Sequence, residues 1–185
     1  MINIDNIGNL KKCRIWTEKP PLTKYQVVKV LNLIVEANDH ISKKNQDIAI
    51  ELFVAPRYYA LLGIEYIFEK TSNLKICVNI TENTDNVITD SLALPSDNVH
   101  LGISNEYCQT ILNTAVKVCK NLSTLPTGIL TFNIGGYSDY GSNQVIFSKI
   151  TSILIKLLVA KLESCDLEEL KSIVRNELEK SLTDI

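Results

Sequence analysis

The residues best suited to chemistry lie in one short polar segment, residues 135–142, with the sequence GGYSDYGS. Its glycines permit backbone conformations and close approaches that side chains would block, and its Ser, Asp and Tyr side chains supply hydroxyl, carboxylate and aromatic groups. A β-like run precedes the segment and a long apolar helical run follows it. We therefore expect a Gly-rich loop that a strand and a helix hold out from the fold.

Three interpretations of the Gly-rich loop stay open. The first is a tight structural connection, in which the glycines take positive φ and Ser142 caps the following helix. The second is an anion site, because free N–H groups at a helix start suit phosphate, although Lys149 lies well inside the helix and no P-loop lysine follows the loop. The third is a tip at which Tyr137, Asp139 and Tyr140 contact a partner.

A catalytic use of the loop would need a general base or a metal carboxylate. The candidates near it in the sequence are Asp97, His100, Glu106 and Asp139. No recognisable spacing joins them, and we expect His100 to be a partly exposed loop residue. Ser138 and Ser142 have no base signalled by the sequence, so a hydrolase triad has little support.

Composition limits the classes of function. The 185 residues are 45% hydrophobic and 22% charged, which is typical of a globular chain with a sizeable core. The net charge of −2 argues against binding that relies on neutralising phosphates, and DNA is not expected as a partner. Five cysteines without CxxC or CxxxC spacing and two histidines give no zinc or disulfide pattern. We therefore expect no cofactor and no metal.

Membrane insertion and secretion are not expected. No apolar run reaches the roughly 18 residues that a membrane span needs. The start of the chain, MINIDNIGNLKK, lacks the basic and apolar regions of a secretory signal. Reduced thiols and a cytoplasmic location are the resulting expectation.

Alternation and capping patterns predict the elements of the N-terminal part. Strands are expected at 10–17, 47–54 and 74–81. A helix is expected to begin at the capping box of Thr23 and Gln26 and to run to residue 37. A second helix is expected from Pro56 to residue 70, since proline suits the first helical position. The composition of residues 82–102 predicts loops, with one short strand near 87–92.

The C-terminal part has its own signals. Ser104 predicts the N-cap of a helix whose core face includes Cys108 and Cys119, so these thiols are expected to fill the core. Asp166 and Glu169 form a capping box for a last helix. The apolar stripe of that helix either packs on the parent domain or pairs with a second copy, so a homo-oligomer through residues 166–182 is one possibility.

Residues 102–107 read GISNEY and lead into the helix that Ser104 caps, and Phe147 lies in the apolar run after the Gly-rich loop. Through these residues and the loop, the chain from residue 102 to about 158 resembles the C-terminal part of domain IV of bacterial translation elongation factor G. That family has a turn of the form Ile/Val-Pro-x-Glu-Tyr into a helix, then a strand, and a loop Asp-Gly-Ser-Tyr-His-Asp-Val-Asp-Ser-Ser that opens another helix. Here Gly102, Glu106 and Tyr107 match the turn, with Ser104 in place of proline. Phe147 matches a helix phenylalanine, whereas Ser138 stands where the family has its loop histidine.

The resemblance implies a fold and a role. The fold is a β-α-β-α layer with a left-handed crossover. In the family the matching tip reaches the ribosomal decoding region beside tRNA and mRNA, which implies a ribosome or RNA partner here. The implied partner-binding residues are Gly135, Gly136, Tyr137, Ser138, Asp139 and Tyr140. The P-loop motif of a GTPase domain does not occur in the sequence.

The sequence thus predicts an α/β protein of the α+β two-layer class, with a mixed sheet packed by helices. Its expected parts are a βαβαβ-like half (1–82), a half similar to domain IV of elongation factor G (83–165) and an amphipathic helix (166–185), all of which could form one domain. The favoured function is a non-catalytic interaction module that binds a ribosome, RNA or protein partner through residues 135–142. The alternative is a small-molecule or nucleotide-binding protein or enzyme that uses the same loop as a phosphate site.

Overall fold

A computed structural model describes residues 1–5, 7, 11–18, 25–38, 44–82, 86–160 and 166–181. The strands are β1 (Ile2–Asp5), β2 (Lys11–Trp16), β3 (Lys29–Glu36), β4 (Gln46–Val54), β5 (Tyr58–Phe68), β6 (Asn73–Ile80), β7 (Val99–Leu101) and β8 (Gly128–Ser138). The helices are α1 (Asn105–Lys120), α2 (Gln144–Val159) and α3 (Leu167–Glu179).

In the described residues the strands form one mixed sheet in the order β1-β2-β4-β5-β8-β6-β3, with β7 paired to the end of β8. Strands β6 and β8 run parallel, and the other pairs are antiparallel. Helix α1 lies in the connection between β6 and β8, which completes a β-α-β unit. The predicted mixed sheet packed by helices is confirmed, and the left-handed sense of the crossover stays a prediction.

Strand β8 lies between β5 and β6, so both parts of the chain that the sequence separated near residue 82 contribute to one sheet. Helices α1 and α2 pack beside each other, α1 against β3 and β6 and α2 against β4 and β5, while α3 packs on α2. The main core fills the space between these helices and the sheet. A smaller cluster on the other sheet face includes Tyr59, Leu61 and Val99, packed against Trp16, Ile88, Leu92, Ala93 and Ile134.

The prediction of a helix at residues 23–37 is wrong. Residues 29–36 form β3, which pairs with β6 along its whole length, and Thr23 lies outside the described residues. The segment KVLNLIVE is rich in β-branched residues, which favour strands, and its apolar residues match both a helical and an extended spacing. Pairing with β6 decides between the two.

The prediction of a helix after Pro56 is also wrong. Residues 58–68 form β5, which turns back from β4 as an antiparallel hairpin. The sequence did not indicate this strand, because the residues on both of its faces are apolar at one end. Ala60, Leu62 and Ile64 face the helices, whereas Tyr59 and Leu61 belong to the second cluster. Such a continuous apolar run has no period of two.

Several other predictions are confirmed. The expected strands at 10–17, 47–54 and 74–81 correspond to β2, β4 and β6. Ser104 caps α1 by accepting a hydrogen bond from the N–H of Glu106, and Asp166 caps α3 by accepting one from Glu169. Cys108 and Cys119 are buried, as expected for core thiols. Near residue 87 the structure has an isolated bridge from Val87 to His100 rather than a strand.

The apolar stripe of α3 packs on the rest of the chain. Leu170 and Val174 are buried in the main core, whereas Leu167 at the start of the helix is 44% exposed. Residue 182 lies outside the described residues. A contact of this helix with a second copy stays a prediction.

Candidate functional site

The Gly-rich loop expected at residues 135–142 begins later than the sequence suggested. Gly135, Gly136, Tyr137 and Ser138 are the last four residues of β8. Two of them pair with β5, Gly135 opposite Leu62 and Gly136 opposite Leu61. The connection to α2 is therefore the short turn of residues 139–142, which we call the tip turn.

The two glycines of β8 serve packing. A Cβ on Gly135 would lie 2.5 Å from Cγ1 of Ile103 and 2.7 Å from the carbonyl oxygen of Gly102. A Cβ on Gly136 would lie 3.1 Å from methyl groups of Leu61 and Ile88. Both glycines are buried, and Ser138 is only 2% exposed. Three of the six residues expected to bind a partner are therefore buried within the chain.

Hydrogen bonds from outside the tip turn fix its backbone. The carboxylate of Asp97 accepts from the N–H of Tyr140 (3.2 Å) and from that of Gly141 (3.1 Å). Ser138 Oγ also accepts from the N–H of Gly141, at 3.0 Å. Ser142 Oγ accepts from the N–H of Ser138 (2.9 Å) and donates to the carbonyl oxygen of Tyr59 (2.8 Å).

One of the three interpretations of the loop made Ser142 the N-cap of the helix that follows it, and that detail is wrong. Helix α2 begins one residue later, and its N-cap is Asn143, whose side-chain oxygen accepts from the N–H of Ile146 at 3.0 Å. The hydroxyl of Ser142 is instead engaged with Ser138 and Tyr59 in holding the tip turn against β5.

The exposed part of the site consists of Asp139 and Tyr140. Tyr140 is 72% exposed. Asp139 is 40% exposed, and its Oδ1 lies 2.7 Å from Nε2 of His100. The backbone N–H of Asp139 donates to the carbonyl oxygen of Asn98, at 3.2 Å. The structure thus joins Asp97, His100 and Asp139, which the sequence named but could not connect.

An aromatic row supports the tip turn from the helix side. His100 stacks on Tyr137 with ring centroids 5.3 Å apart, and Tyr137 lies 6.0 Å from Tyr107. Tyr107 in turn stacks on Phe147 of α2 at 4.4 Å. Burial is the main reason that the pKa of Tyr107 is raised to about 12, so this phenol stays neutral. Tyr137 is half-buried in this row and acts as a support rather than as a projecting side chain.

The serine hydroxyls near the His100–Asp139 pair are not placed to act as nucleophiles. Ser138 is buried and its hydroxyl oxygen accepts from Gly141, while the hydroxyl of Ser142 donates to a backbone carbonyl. In the described part of the chain, no group of three His, Cys, Asp or Glu residues is arranged to hold a metal ion. Cys13, Cys77, Cys108 and Cys119 are buried, and burial raises the pKa of each thiol, so nucleophilic thiolates are disfavoured at neutral pH.

Two residues of this site were missed in the sequence. Asn98 anchors Asp139 through its carbonyl, and Tyr107 supports Tyr137, but no local pattern marked either role. The pairing of β7 with the end of β8 brings Asn98 beside Asp139, and α1 carries Tyr107. With three residues β7 is too short to show a period, although the turn-forming run PSDN before it was a usable signal.

The chain was compared with protein-family models, curated proteins and solved structures, and none of the three comparisons finds a match. Within the described residues, no helix combines the length and apolar character that crossing a bilayer requires.

Proposed function

We propose that this chain is a non-catalytic interaction module that binds a protein partner through the tip turn and acts in the cytoplasm. The observation that carries the proposal is the position of Tyr140, which is 72% exposed on a turn whose N–H groups are bonded to Asp97. Tyrosines that are buried on binding are among the residues that contribute most to interfaces. A turn that is ordered before binding loses little entropy when the complex forms.

Charge near the tip favours a protein over a nucleic acid. Asp97 and Asp139 bring two carboxylates to the turn, and the residue of the β4–β5 connection that lies beside Gly141, Arg57, approaches it with its backbone oxygen. Carboxylates repel phosphates, whereas they attract the Lys and Arg side chains of a protein surface. The face therefore suits a partner with basic or hydrogen-bond-donating groups.

A ribosome or RNA partner is the second candidate, because of the resemblance to domain IV of elongation factor G. The exposed ring of Tyr140 supports this candidate, since an aromatic ring can stack on an unpaired base. Use of the turn as a phosphate or nucleotide site is less favoured. The N–H groups of Tyr140 and Gly141 that would hold a phosphate already donate to the carboxylate of Asp97.

Site-specific cross-linking tests the proposal. A photoreactive phenylalanine derivative replaces Tyr140 in one version of the full chain and Ile67, which is 40% exposed on β5, in a control version. After illumination in an extract of the native host, we expect a discrete protein adduct from position 140 and none from position 67. An excess of unlabelled wild-type chain should suppress the adduct, and an excess of Tyr140→Ala should not.

The outcomes separate the candidates. RNA would be the partner if the adduct disappears after RNase treatment and if the chain co-sediments with purified ribosomes in a way that weakens in high salt. Equal labelling from both positions, or suppression by Tyr140→Ala as strong as by the wild type, would reject the tip turn as a binding surface.

A further inference from the structure

A pocket on the other side of α2 from the aromatic row is not part of the tip turn. It has a volume of about 270 Å³ and contains none of residues 135–142. Its walls come from the ends of several elements, and we call it the two-lysine pocket. The lining residues are Lys11, Val54, Tyr58, Asn143, Val145, Ile146, Lys149 and Leu178.

The walls of the two-lysine pocket are mostly apolar. Val54 ends β4, and Val145 and Ile146 belong to the first turn of α2. Val145 is 43% exposed and Tyr58 is 41% exposed, so apolar surface at the mouth of the pocket remains in contact with water. A ligand that covered these side chains would gain the free energy of removing apolar surface from water.

Two lysines provide the polar groups of the pocket. Lys149 Nζ donates to the carbonyl oxygens of Leu178 (2.7 Å) and Lys180 (2.6 Å), which fix the ammonium at the end of α3. An ammonium has three donors, so one remains for a further acceptor. Burial lowers the pKa of Lys149, and the charge of Lys11 lowers it further.

Among the described residues that line the pocket, none is acidic. The acidic group that acts on Lys149 is Glu177, whose carboxylate is bonded to Ser152 at 2.5 Å and to Lys180. Two cations that share an apolar pocket without a lining carboxylate are stabilised by an added anion. The pocket is thus complementary to a molecule with one anionic end and a short apolar body.

We propose that the two-lysine pocket binds a small amphipathic monocarboxylate, with the carboxylate between Lys11 and Lys149 and the apolar body against Val54, Val145 and Ile146. Inorganic phosphate would leave the apolar walls exposed to water. A neutral apolar molecule would bring no anion to the two ammonium groups. A short alkanoate satisfies both parts of the pocket.

The test uses the full chain and a series of probes: acetate, butanoate, hexanoate, hexan-1-ol and inorganic phosphate. Binding is followed by isothermal titration calorimetry and by the shift in melting temperature. We expect affinity to rise from acetate to hexanoate as the apolar body lengthens, and we expect hexan-1-ol and phosphate to bind at least about tenfold more weakly than hexanoate.

Variants localise the site. Lys11→Met should weaken hexanoate binding about tenfold, since it removes one charge-assisted hydrogen bond. Val145→Asp should abolish binding by placing a carboxylate in the wall. The matched controls are Lys12→Met, the exposed neighbouring lysine, and Val87→Asp, a valine that is 47% exposed elsewhere, and both should bind as the wild type does.

Three results would overturn the proposal. The first is hexan-1-ol binding as tightly as hexanoate, which would show a purely apolar site. The second is phosphate binding as tightly as hexanoate, which would show a simple anion site. The third is hexanoate affinity that Lys11→Met and Val145→Asp leave unchanged, which would place binding elsewhere. Because the tip turn is not mutated, none of these results bears on the proposed partner-binding function.

Discussion

Asp97 and Gly141 lie 44 residues apart in the sequence, yet the carboxylate Oδ2 of Asp97 accepts a hydrogen bond from the N–H of Gly141 at 3.1 Å. The other carboxylate oxygen accepts from the N–H of Tyr140 at 3.2 Å. One side chain from the loop before β7 therefore accepts two of the hydrogen bonds that fix the backbone of the tip turn. The exposed ring of Tyr140 depends on this contact for its position.

Replacing Asp97 by Ala should loosen the tip turn. Two N–H groups lose their acceptor, so we expect the free energy of unfolding to fall by about 1–3 kcal/mol. Hydrogen exchange at Tyr140 and Gly141 should become faster, while exchange in β4 should change only in proportion to the global loss. Denaturant unfolding and exchange followed by mass spectrometry provide both measurements.

Two further variants control this experiment. Asp97→Asn keeps one acceptor oxygen and should give an intermediate loss. Asp90→Ala removes a carboxylate that is 88% exposed and lies on the same loop, so it should have a small effect on the tip turn. Unchanged exchange at Tyr140 and Gly141 in Asp97→Ala would show that the turn is held by Ser138 and Ser142 alone.

The adjacent glycines of β8 should respond differently to Ala. In Gly135→Ala the new Cβ meets the backbone oxygen of Gly102 at 2.7 Å, which can move only with the chain, so we expect a loss of about 1–3 kcal/mol. In Gly136→Ala it meets methyl groups of Leu61 and Ile88 at 3.1 Å, which can shift. The lower entropy of an unfolded Ala relative to Gly partly offsets that strain, by about 0.5–1 kcal/mol.

The comparison of the two glycine variants needs only their unfolding midpoints and slopes in urea, since equal slopes show that the same transition is measured. We expect Gly135→Ala to unfold at clearly lower urea than Gly136→Ala. The reverse order would mean that β8 and the segment at Gly102 are less closely packed than the contacts indicate.

Glu51 should make stability depend on pH. It is 2% exposed and accepts hydrogen bonds from the hydroxyl of Tyr59 (2.9 Å) and the N–H of Leu92 (2.7 Å). Arg14 pairs with its other oxygen at 3.2 Å. Burial raises the pKa of Glu51, and these three partners lower it without cancelling the effect of burial.

A raised pKa in the folded state means that the native protein binds the proton of Glu51 more tightly than the unfolded chain does. The resulting stabilisation is complete below the unfolded pKa of about 4.3 and is lost as pH rises through the folded pKa. Glu51→Gln does not titrate and keeps an acceptor oxygen. We therefore expect the stability of the wild type relative to Glu51→Gln to fall as pH rises from 4 toward 7.

Urea unfolding of both proteins at several pH values measures this difference. Glu36→Gln, an exposed carboxylate on β3, is the control and should give a flatter difference. A wild-type advantage over Glu51→Gln that grows with pH would show that Arg14, Tyr59 and Leu92 together outweigh the burial of the carboxylate.

The sequence predicted those elements whose residues alternate or carry a cap. Residues 47–54 alternate because one set, including Ile48 and Ile50, faces the helices, and Ser104 and Asp166 cap the helices that follow them. Alternation did not reveal β5, because Tyr59 and Leu61, on the sheet face away from the helices, are buried in the smaller cluster. The conformation of the tip turn was beyond prediction, because its main acceptor, Asp97, is brought to it by the pairing of β7 with β8.

Strand β3 should govern self-association. In the described part of the chain it ends the sheet, and residues 30–35 (VLNLIV) carry no charge. Val30 is 47% and Ile34 is 64% exposed. Ala37 donates to Ser72, and since hydrogen-bonded pairs alternate, the N–H of Ile34 is directed away from β6. Long uncharged edge strands of this kind pair with other chains, and a lysine on the edge prevents the pairing.

Ile34→Lys should therefore lower the self-association of the chain at high concentration, while the free energy of unfolding should change by no more than about 0.5 kcal/mol because the position is exposed. Light scattering and sedimentation velocity over a concentration series measure the association, and urea unfolding measures the stability. Ile67→Lys is the matched control, since Ile67 is 40% exposed on β5, a strand paired on both sides. If Ile67→Lys reduced association as much as Ile34→Lys does, the effect would come from added charge and not from the edge of β3.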